Sequence, residues 1–553
     1  MAAIELHRAG RVSDAVESYR AVLDVEPRQF DARRLLGAAL LKLGDCEQSA
    51  LELERALAIS PRMAEVWTHR GQALARLGRH APALACFQQA ATLAPAAPGN
   101  WNEAGLQQLA LDAVAEALDS FDRAVELDPR FAAAWSNRGL ALDRLRRAEE
   151  ALAAHRQAAR LAPDSAPIQC NLARALLEHG RFEDALSSYR GVAQREERNE
   201  AAWRGVAAAL TALGRLPEAI EACDRALDCA ASAAKGGKGL PYAGAFAELR
   251  FNRSLLRLTL GDYAGGWRDF EYRPSVAELP TGPDRPVAWE PGVPLHGRSI
   301  LLRHEQGVGD TLQFCRFVPR LAAQGARVTL QVPAALHGLL RGLEGVDRIL
   351  AMDELPVGVD LHCPLPGLPF RLGVSLQDLP GAVPYLSAPT ADAASWQARL
   401  GKRERPRIGL AYSGNPDHRN DAARSLPARC LPQLLSDRYE WHLLQKEVSP
   451  ADETVLAGLP IRDHRARLED FSDTAALAQA MDIVVSVDTS VAHLAGALGR
   501  PLRVLLPCVP DWRWLLERED SPWYPTARLF RQTRHGDWES PIRRLRQALD
   551  EAL

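Results

Sequence analysis

The stretch "DIVVSVDTSVAHLAGALGRP", Asp482 to Pro501, decides how the second half of the chain is read. Its apolar run, "DIVVSV" from Asp482 to Val487, has the character of a buried strand. The run stops at Asp488-Thr489-Ser490, and a helical segment opens with His493 in its first turns. Gly499 then closes the helix and Pro501 starts the next segment. The polar residues at this junction have two readings. They cap the helix, or they hold an anion against its free N–H groups and the positive end of its dipole. An Asp cap needs no nearby histidine. His493 either reaches the same ligand or packs against the sheet.

The alternation continues on both sides. "SILLR" leads through "HEQGVGD" into the helix "TLQFCRFVPRLAAQG" and on to "ARVTLQV". "RIGLAYSG", "YEWHLLQ", "MDIVVSV" and "PLRVLLP" form a second series. Strand, helix, strand with short connections predicts parallel sheets, whose ligands sit at the carboxyl ends of the strands. "GKRERPR", Gly401–Arg407, reads as a linker between two Rossmann-like lobes, 297–400 and 407–553.

The unusual residues lie at strand ends. In "HEQGVGDTLQF" (His304–Phe314), Gly307-Val308-Gly309 opens like a dinucleotide fingerprint. Leu312 stands at the third glycine position, however, and the next strand ends "LQVP" without a ribose-binding acid, which argues against a dinucleotide oxidoreductase. Asp310 either caps the helix it precedes or serves as a general base. In "YSGNPDHRNDAARSLP", a strand ends at Ser413-Gly414-Asn415 and a polar loop carries His418, Arg419 and Arg424. That loop is a solvated surface or an anion clamp, since arginine presents a fork of donors suited to phosphate. "LLQKE" ends another strand with Gln445 and Glu447, which suit contacts to a nucleobase or ribose. The tail "PDWRWLLEREDSPWYP" collects Trp512, Trp514, Trp523 and Tyr524 and reads chiefly as lobe packing.

A repeat array precedes these lobes. Pro27, Pro61, Pro95, Pro129 and Pro163 are spaced by 34 residues, and Trp67, Trp101, Trp135 and Trp203 follow the same step, with Gln169 filling the gap. Gly37, Gly71, Gly105 and Gly139 form one glycine register. Gly10, Gly44 and Gly78 form another, interrupted at Asp112 and Arg146 and resumed at Gly180 and Gly214. A 34-residue period with these residue types resembles the tetratricopeptide repeat. Each unit reads as helix, tight turn, helix, then a proline that prevents continuation. Gly71 and Ala83 let the paired helices approach, while Trp67 and Leu74 fill the space between units. Stacking must supply the core, because no unit buries its apolar face alone. The first helix is predicted to be short, within Met1–Ala9. The array is predicted over 1–229, a flexible insertion over 230–243, a last helical pair over 244–273 and a linker over 274–296.

The formal net charge of -3 offers no global attraction to nucleic acid or an anionic membrane. Nine cysteines without a Cys-x-x-Cys pair suggest reduced thiols and a cytoplasmic home. The N-terminus lacks a signal-type apolar core, and no stretch approaches the roughly 20 apolar residues of a membrane span.

Taken together, "GVGDTLQFCRFVPRL", "YSGNPDHRNDAARS", "SVDTSVAHLAGALGRP" and "DWRWLLEREDSPWYP" resemble a bacterial group that joins tetratricopeptide repeats to a GT-B glycosyltransferase domain. That domain is similar to the ADP-heptose:lipopolysaccharide heptosyltransferases. The architecture is also similar to O-GlcNAc transferases and to repeat-bearing flagellin glycosyltransferases. The resemblance implies an enzyme with a nucleotide-sugar substrate and no other cofactor. It implies Asp310 as catalytic base on an acceptor-side loop with His304, Gly307 and Gly309. It implies donor binding by Ser413, Gly414, Arg424, Gln445, Glu447, Asp488, Thr489, Ser490 and His493. Arg424 departs from the pattern, standing where those enzymes usually carry a phosphate-binding lysine. No Asp-x-Asp metal clamp occurs, so no metal is expected. The repeats, which heptosyltransferases lack, point to a protein Ser or Thr acceptor held in the repeat groove, flagellin being one example. Two alternatives stand beside this: a repeat scaffold or secretion chaperone with an inactive transferase region, and a lipopolysaccharide-type sugar transferase.

Overall fold

The computed structural model describes residues 2–235, 243–274, 286–379, 381–416 and 421–552. The chain divides into two compact units, Met1–Leu213 and Gly214–Leu553.

The first unit is an all-helical repeat solenoid. After Ala2–Arg8 and Val12–Val25, helices pair as Phe30–Leu43 with Cys46–Ile59, Ala64–Arg76 with His80–Leu93, and Pro98–Ala110 with Val114–Leu127. Ala132–Arg144 with Ala148–Leu161 and Ala166–Glu178 with Phe182–Arg195 follow, before Glu200–Ala212. The sequence registers acquire physical reasons here. A Cβ on Gly71 would lie 2.8 Å from the Phe87 ring, and one on Gly105 would lie 2.6 Å from Phe121, so only hydrogen fits where the paired helices cross. The indole N–H groups of Trp67, Trp101 and Trp135 donate to the carbonyls of Pro61, Pro95 and Pro129 at 2.8, 3.1 and 3.0 Å. The proline-to-tryptophan spacing of six is therefore a hydrogen-bonded staple across these three inter-unit turns.

The second glycine register is the left-handed residue between paired helices, with φ of +88° at Gly44 and +71° at Gly78. Asp112 and Arg146 keep that turn without glycine, at φ 63° and 60°. A side chain there costs about 1–2 kcal/mol. Arg146→Gly is accordingly expected to stabilise the repeat unit by about 1 kcal/mol, seen as a higher Tm. A lowered Tm would mean that the arginine side chain contributes more than its backbone costs.

In the second unit, Leu216–Lys235 runs as helix past Ala230, where the flexible insertion was expected to start. Residues 236–242 of that expected insertion lie outside the described residues. The helices Ala243–Thr259 and Tyr263–Phe270 pack against each other. Buried Asp269 clasps them, accepting from Arg253 Nε at 2.7 Å and Arg257 Nη1 at 3.2 Å.

Two parallel sheets follow. The first contains β1 (Val287–Ala288), β2 (Ser299–Arg303), β3 (Arg327–Gln331), β4 (Val346–Leu350) and β5 (Leu361–Pro364), in the order β1-β5-β2-β3-β4. Strand β1 lies inside 274–296, a stretch expected to be linker. The second contains β6 (Arg407–Ala411), β7 (Glu440–Leu443), β8 (Ile461–Arg462), β9 (Ile483–Val487), β10 (Leu502–Leu506) and β11 (Ala527–Arg531), in the order β11-β10-β9-β6-β7-β8. From β6 the chain moves to β7 and β8 on one side. From β9 it moves to β10 and β11 on the other. The adjacent ends of β6 and β9 are therefore a topological switch point, where parallel sheets open a crevice.

The helix Thr390–Leu400 falls in the first lobe by sequence but packs on Phe471–Gln479 of the second. Its Trp396 indole donates to Asp473 at 2.9 Å, and the Ala388 N–H donates to Gln479 at 3.0 Å. A single apolar core runs from Tyr263, Trp267 and Phe270 through Leu302 and Phe314 to Val484, Trp512 and Trp523. The other face of the second sheet is covered by Ile542, Leu545 and Leu549 of the helix Glu539–Ala552. Among the described residues no helix is long and apolar enough to cross a membrane.

Candidate functional site

Two strand ends meet. On the first sheet, central strand β2 ends at Arg303, and the chain turns through His304–Gly307 into the short helix Val308–Phe314. On the second, β9 ends at Val487 and the helix Ser490–Ala497 follows. The two helices pack directly on each other. Gly309 permits the approach: a Cβ there would sit 2.9 Å from His493 Cδ2 and 3.5 Å from Ser490 Cα. Gly309→Ala is expected to cost about 1–3 kcal/mol by overpacking and to displace the His493 ring. Unchanged stability would mean that the helices separate freely.

Asp310 takes the capping position that its sequence suggested and adds an ion pair. One carboxylate oxygen accepts from the Gly307 N–H at 2.9 Å, closing the helix start. The other pairs with the Arg513 guanidinium of the second lobe. His304 lies behind the loop, its Nδ1 2.7 Å from Thr311 Oγ1, and burial lowers its pKa.

The residues at the end of β9 do not cap their helix in the expected way. Thr489 is the N-cap, yet its side chain makes no cap hydrogen bond; its hydroxyl lies 3.2 Å from Ser486 Oγ. Ser490 opens the helix. Asp488 sits just outside it, nearly buried, with an Oδ1 4.0 Å from His493 Nε2. Burial first, and the neighbouring Asp511 second, push the Asp488 carboxyl up to about 6, against the pull of Arg513 and Arg424. His493 is buried, 2.9 Å from the Tyr524 hydroxyl through Nδ1 and stacked on Trp514 at a centroid separation of 5.7 Å. Burial drives its pKa well down, helped by Arg513, Arg316 and Arg424.

The raised Asp488 pKa carries a sign. Between pH 3.8 and about 6 the folded chain holds a proton that the unfolded chain has released, so this group's contribution to stability falls as pH rises through that window. Asp488→Asn should therefore raise Tm relative to the parent more at pH 7.5 than at pH 4. Equal differences at both pH values would show that Asp488 titrates as it does in the unfolded chain.

Beyond β6, Gln445 organises the Ser413 turn. Its Oε1 accepts from the Tyr412 and Ser413 N–H groups at 2.8 and 3.2 Å, and its Nε2 donates to Ser413 Oγ at 2.7 Å. Glu447 contributes its carbonyl, which accepts from Gln445 Nε2 at 2.9 Å, and its side chain is exposed. Gly414 makes room for a cation, since a Cβ there would lie 2.6 Å from Arg424 Nη2. Arg424 also donates to Asp421 at 3.3 Å. His418 and Arg419 lie outside the described residues. Among the described residues no group of three His, Cys, Asp or Glu side chains is arranged to hold a metal ion.

Arg513 escaped sequence reasoning, which assigned its segment to aromatic packing. Its one local signal is a cation between two tryptophans in "DWRW". Burial opposes its charge, but Asp511, Asp310 and Asp488 more than restore it, holding its pKa above the ordinary arginine value.

Architecture and site define a helical repeat module followed by a two-sheet parallel α/β region with a polar junction at facing strand ends. The helices are tetratricopeptide repeats: a tetratricopeptide-repeat model matches residues 1–61, 36–98, 103–166 and 170–234. The chain is similar to protein FlbA of Caulobacter vibrioides (strain ATCC 19089 / CIP 103742 / CB 15), with 25% identity over 330 residues, covering 55% of each protein. It thus spans just over half the length of that curated relative. Among solved structures it is similar to TTC0263, a tetratricopeptide-repeat protein of Thermus thermophilus, at 25% identity over 33% of this chain and 98% of that one, TM-score 0.29. It is also similar to YrrB, a tetratricopeptide-repeat protein with an unusual peptide-binding site, at 20% identity over 32% and 91%, TM-score 0.28.

Proposed function

We propose that this chain is a GT-B glycosyltransferase that moves a sugar from a nucleotide-sugar donor to a protein Ser or Thr hydroxyl, with the repeats recruiting the acceptor. The observation supporting this reading is the convergence of Asp310 from one parallel sheet with Asp488, a helix N-terminus and arginines from the other. Asp310 takes the proton of the acceptor hydroxyl as its oxygen bonds to the anomeric carbon. The bond from that carbon to the nucleotide phosphate breaks, and Arg424 and the N–H groups opening Ser490–Ala497 stabilise the departing charge. Gln445 and the Ser413 turn hold the nucleoside. Solenoid repeats present extended surfaces to protein segments, and covalent linkage raises the local concentration of whatever they hold.

A thermal-shift panel of UDP, GDP, ADP, CMP and their sugar conjugates tests the donor site. A ligand at about 100 times its Kd adds roughly 2.7 kcal/mol. One responding nucleotide, with the response lost in Asp488→Ala, is the expected result. No response to any of them would leave a repeat scaffold with an inactive second unit. Deleting Met1–Leu213, the whole first unit, is expected to keep the nucleotide response and abolish transfer to protein. Undiminished protein transfer would separate the repeats from acceptor recruitment.

A further inference from the structure

We propose that Arg513 is a positioning residue that fixes the Asp310 carboxylate from across the lobe boundary, so that the base on the first sheet is set by the sheet assigned to the donor. What Asp310 does rests on the glycosyltransferase reading; how it is held rests on geometry alone.

The guanidinium engages all three of its nitrogens. Nη2 pairs with Asp310, Nε donates to Gln313, and Nη1 donates to Asp511 at 2.8 Å. Asp310 and Gln313 stand three residues apart on one short helix and share a face. A planar fork that holds both side chains fixes the helix's rotation as well as the position of its carboxylate, which a point charge on a flexible stem cannot do. The fork is itself immobilised. Asp511 caps the Trp512–Trp514 turn through the Arg513 N–H at 3.1 Å, and the guanidinium lies 4.3 Å from the Trp512 ring centroid. Trp512 stacks on Phe314 of the same Asp310 helix, with centroids 6.5 Å apart. With the Gly307 N–H on its other oxygen, the Asp310 carboxylate is held at both ends and its remaining lone pairs have set directions. Arg513, Asp511 and Asp488 also share one electrostatic neighbourhood, which places the donor end of the site next to the group that holds the base.

The test uses the full-length chain and Asp310→Asn, Arg513→Lys, Arg513→Ala and the Asp310→Asn/Arg513→Ala double variant. The reaction read is release of sugar to water from the UDP, GDP, ADP or CMP conjugate that raises Tm. Arg513→Ala is expected to lower kcat about 100-fold, the cost of a misplaced reacting group, with KM for the nucleotide sugar changed by less than about twofold. Arg513→Lys should recover little, and the double variant should be no slower than Asp310→Asn within about twofold, because the two side chains act as a unit. A raised KM with kcat kept would make Arg513 a donor ligand instead. Multiplying losses in the double variant would make it independent of Asp310. Either result overturns the proposal. A chain that hydrolyses none of the conjugates would remove the glycosyltransferase reading, and the same variants then test the geometry by thermal unfolding. The double variant is expected to lose clearly less Tm than the sum of its single variants, and strictly additive losses would overturn the pairing.

Discussion

Asp310→Asn is expected to slow sugar transfer by about 100- to 10,000-fold, the span typical for loss of a general base. The substitution keeps volume and shape but removes the negative oxygen pair. As Asp310 stands, one oxygen accepts from the Gly307 N–H and the other faces the Arg513 guanidinium. An amide has one oxygen for these two donors, so its NH2 must point at one of them. Leaving such a donor without its acceptor costs about 1–3 kcal/mol, and a lower Tm should accompany the lost rate. Rates are therefore to be compared well below the melting range. The nucleotide response should persist, because the carboxylate sits on the first sheet and the proposed donor groups on the second. Full activity in Asp310→Asn would remove Asp310 from the role of base. Lost nucleotide binding would make it part of the donor site.

Trp267→Ala is expected to destabilise the second unit by about 3–5 kcal/mol, as truncation of a buried tryptophan does. Trp267 is 2% exposed, and its indole donates to the Val374 carbonyl of the first lobe at 3.0 Å. Its ring meets Phe314 edge-on at 6.3 Å, Trp512 at 5.2 Å and Trp523 at 6.4 Å. Beside it, the Trp523 indole donates to the Tyr263 hydroxyl at 3.0 Å. The last helical pair is thereby built into the α/β core. Because Trp512 carries the guanidinium of Arg513, the cavity should also loosen the hold on Asp310, so activity should fall before the unit unfolds. Denaturant unfolding with a fluorescence readout measures the first effect. A change below about 1 kcal/mol would mean that the pair is an appendage to the α/β region.

Much of this architecture is written in local pattern. The 34-residue spacing of Pro61, Pro95 and Pro129 is visible because each proline and its following tryptophan close one short turn, six residues apart. Ile483–Val487 announces a strand because it is buried along its whole length, so every position can be apolar. Asp112 and Arg146 show where pattern ends: they break the glycine register yet keep its left-handed turn, since the packed helix pair imposes a conformation that the residue alone does not prefer.

What local pattern could not decide was which polar residues meet. The capping place of Asp310 is legible in the sequence, but its pairing with a guanidinium 203 residues away leaves no periodicity to read. Thr489, Asp488 and His493 looked like a cap or a ligand site, and only the folded chain separated the N-cap from the nearly buried carboxylate beside it. Periodicity arises from hydrogen bonds and packing between near neighbours, so composition and spacing record it. The burial that raises Asp488 and the fork that holds Asp310 arise where two sheets bring distant strand ends together, so only the tertiary structure decides them.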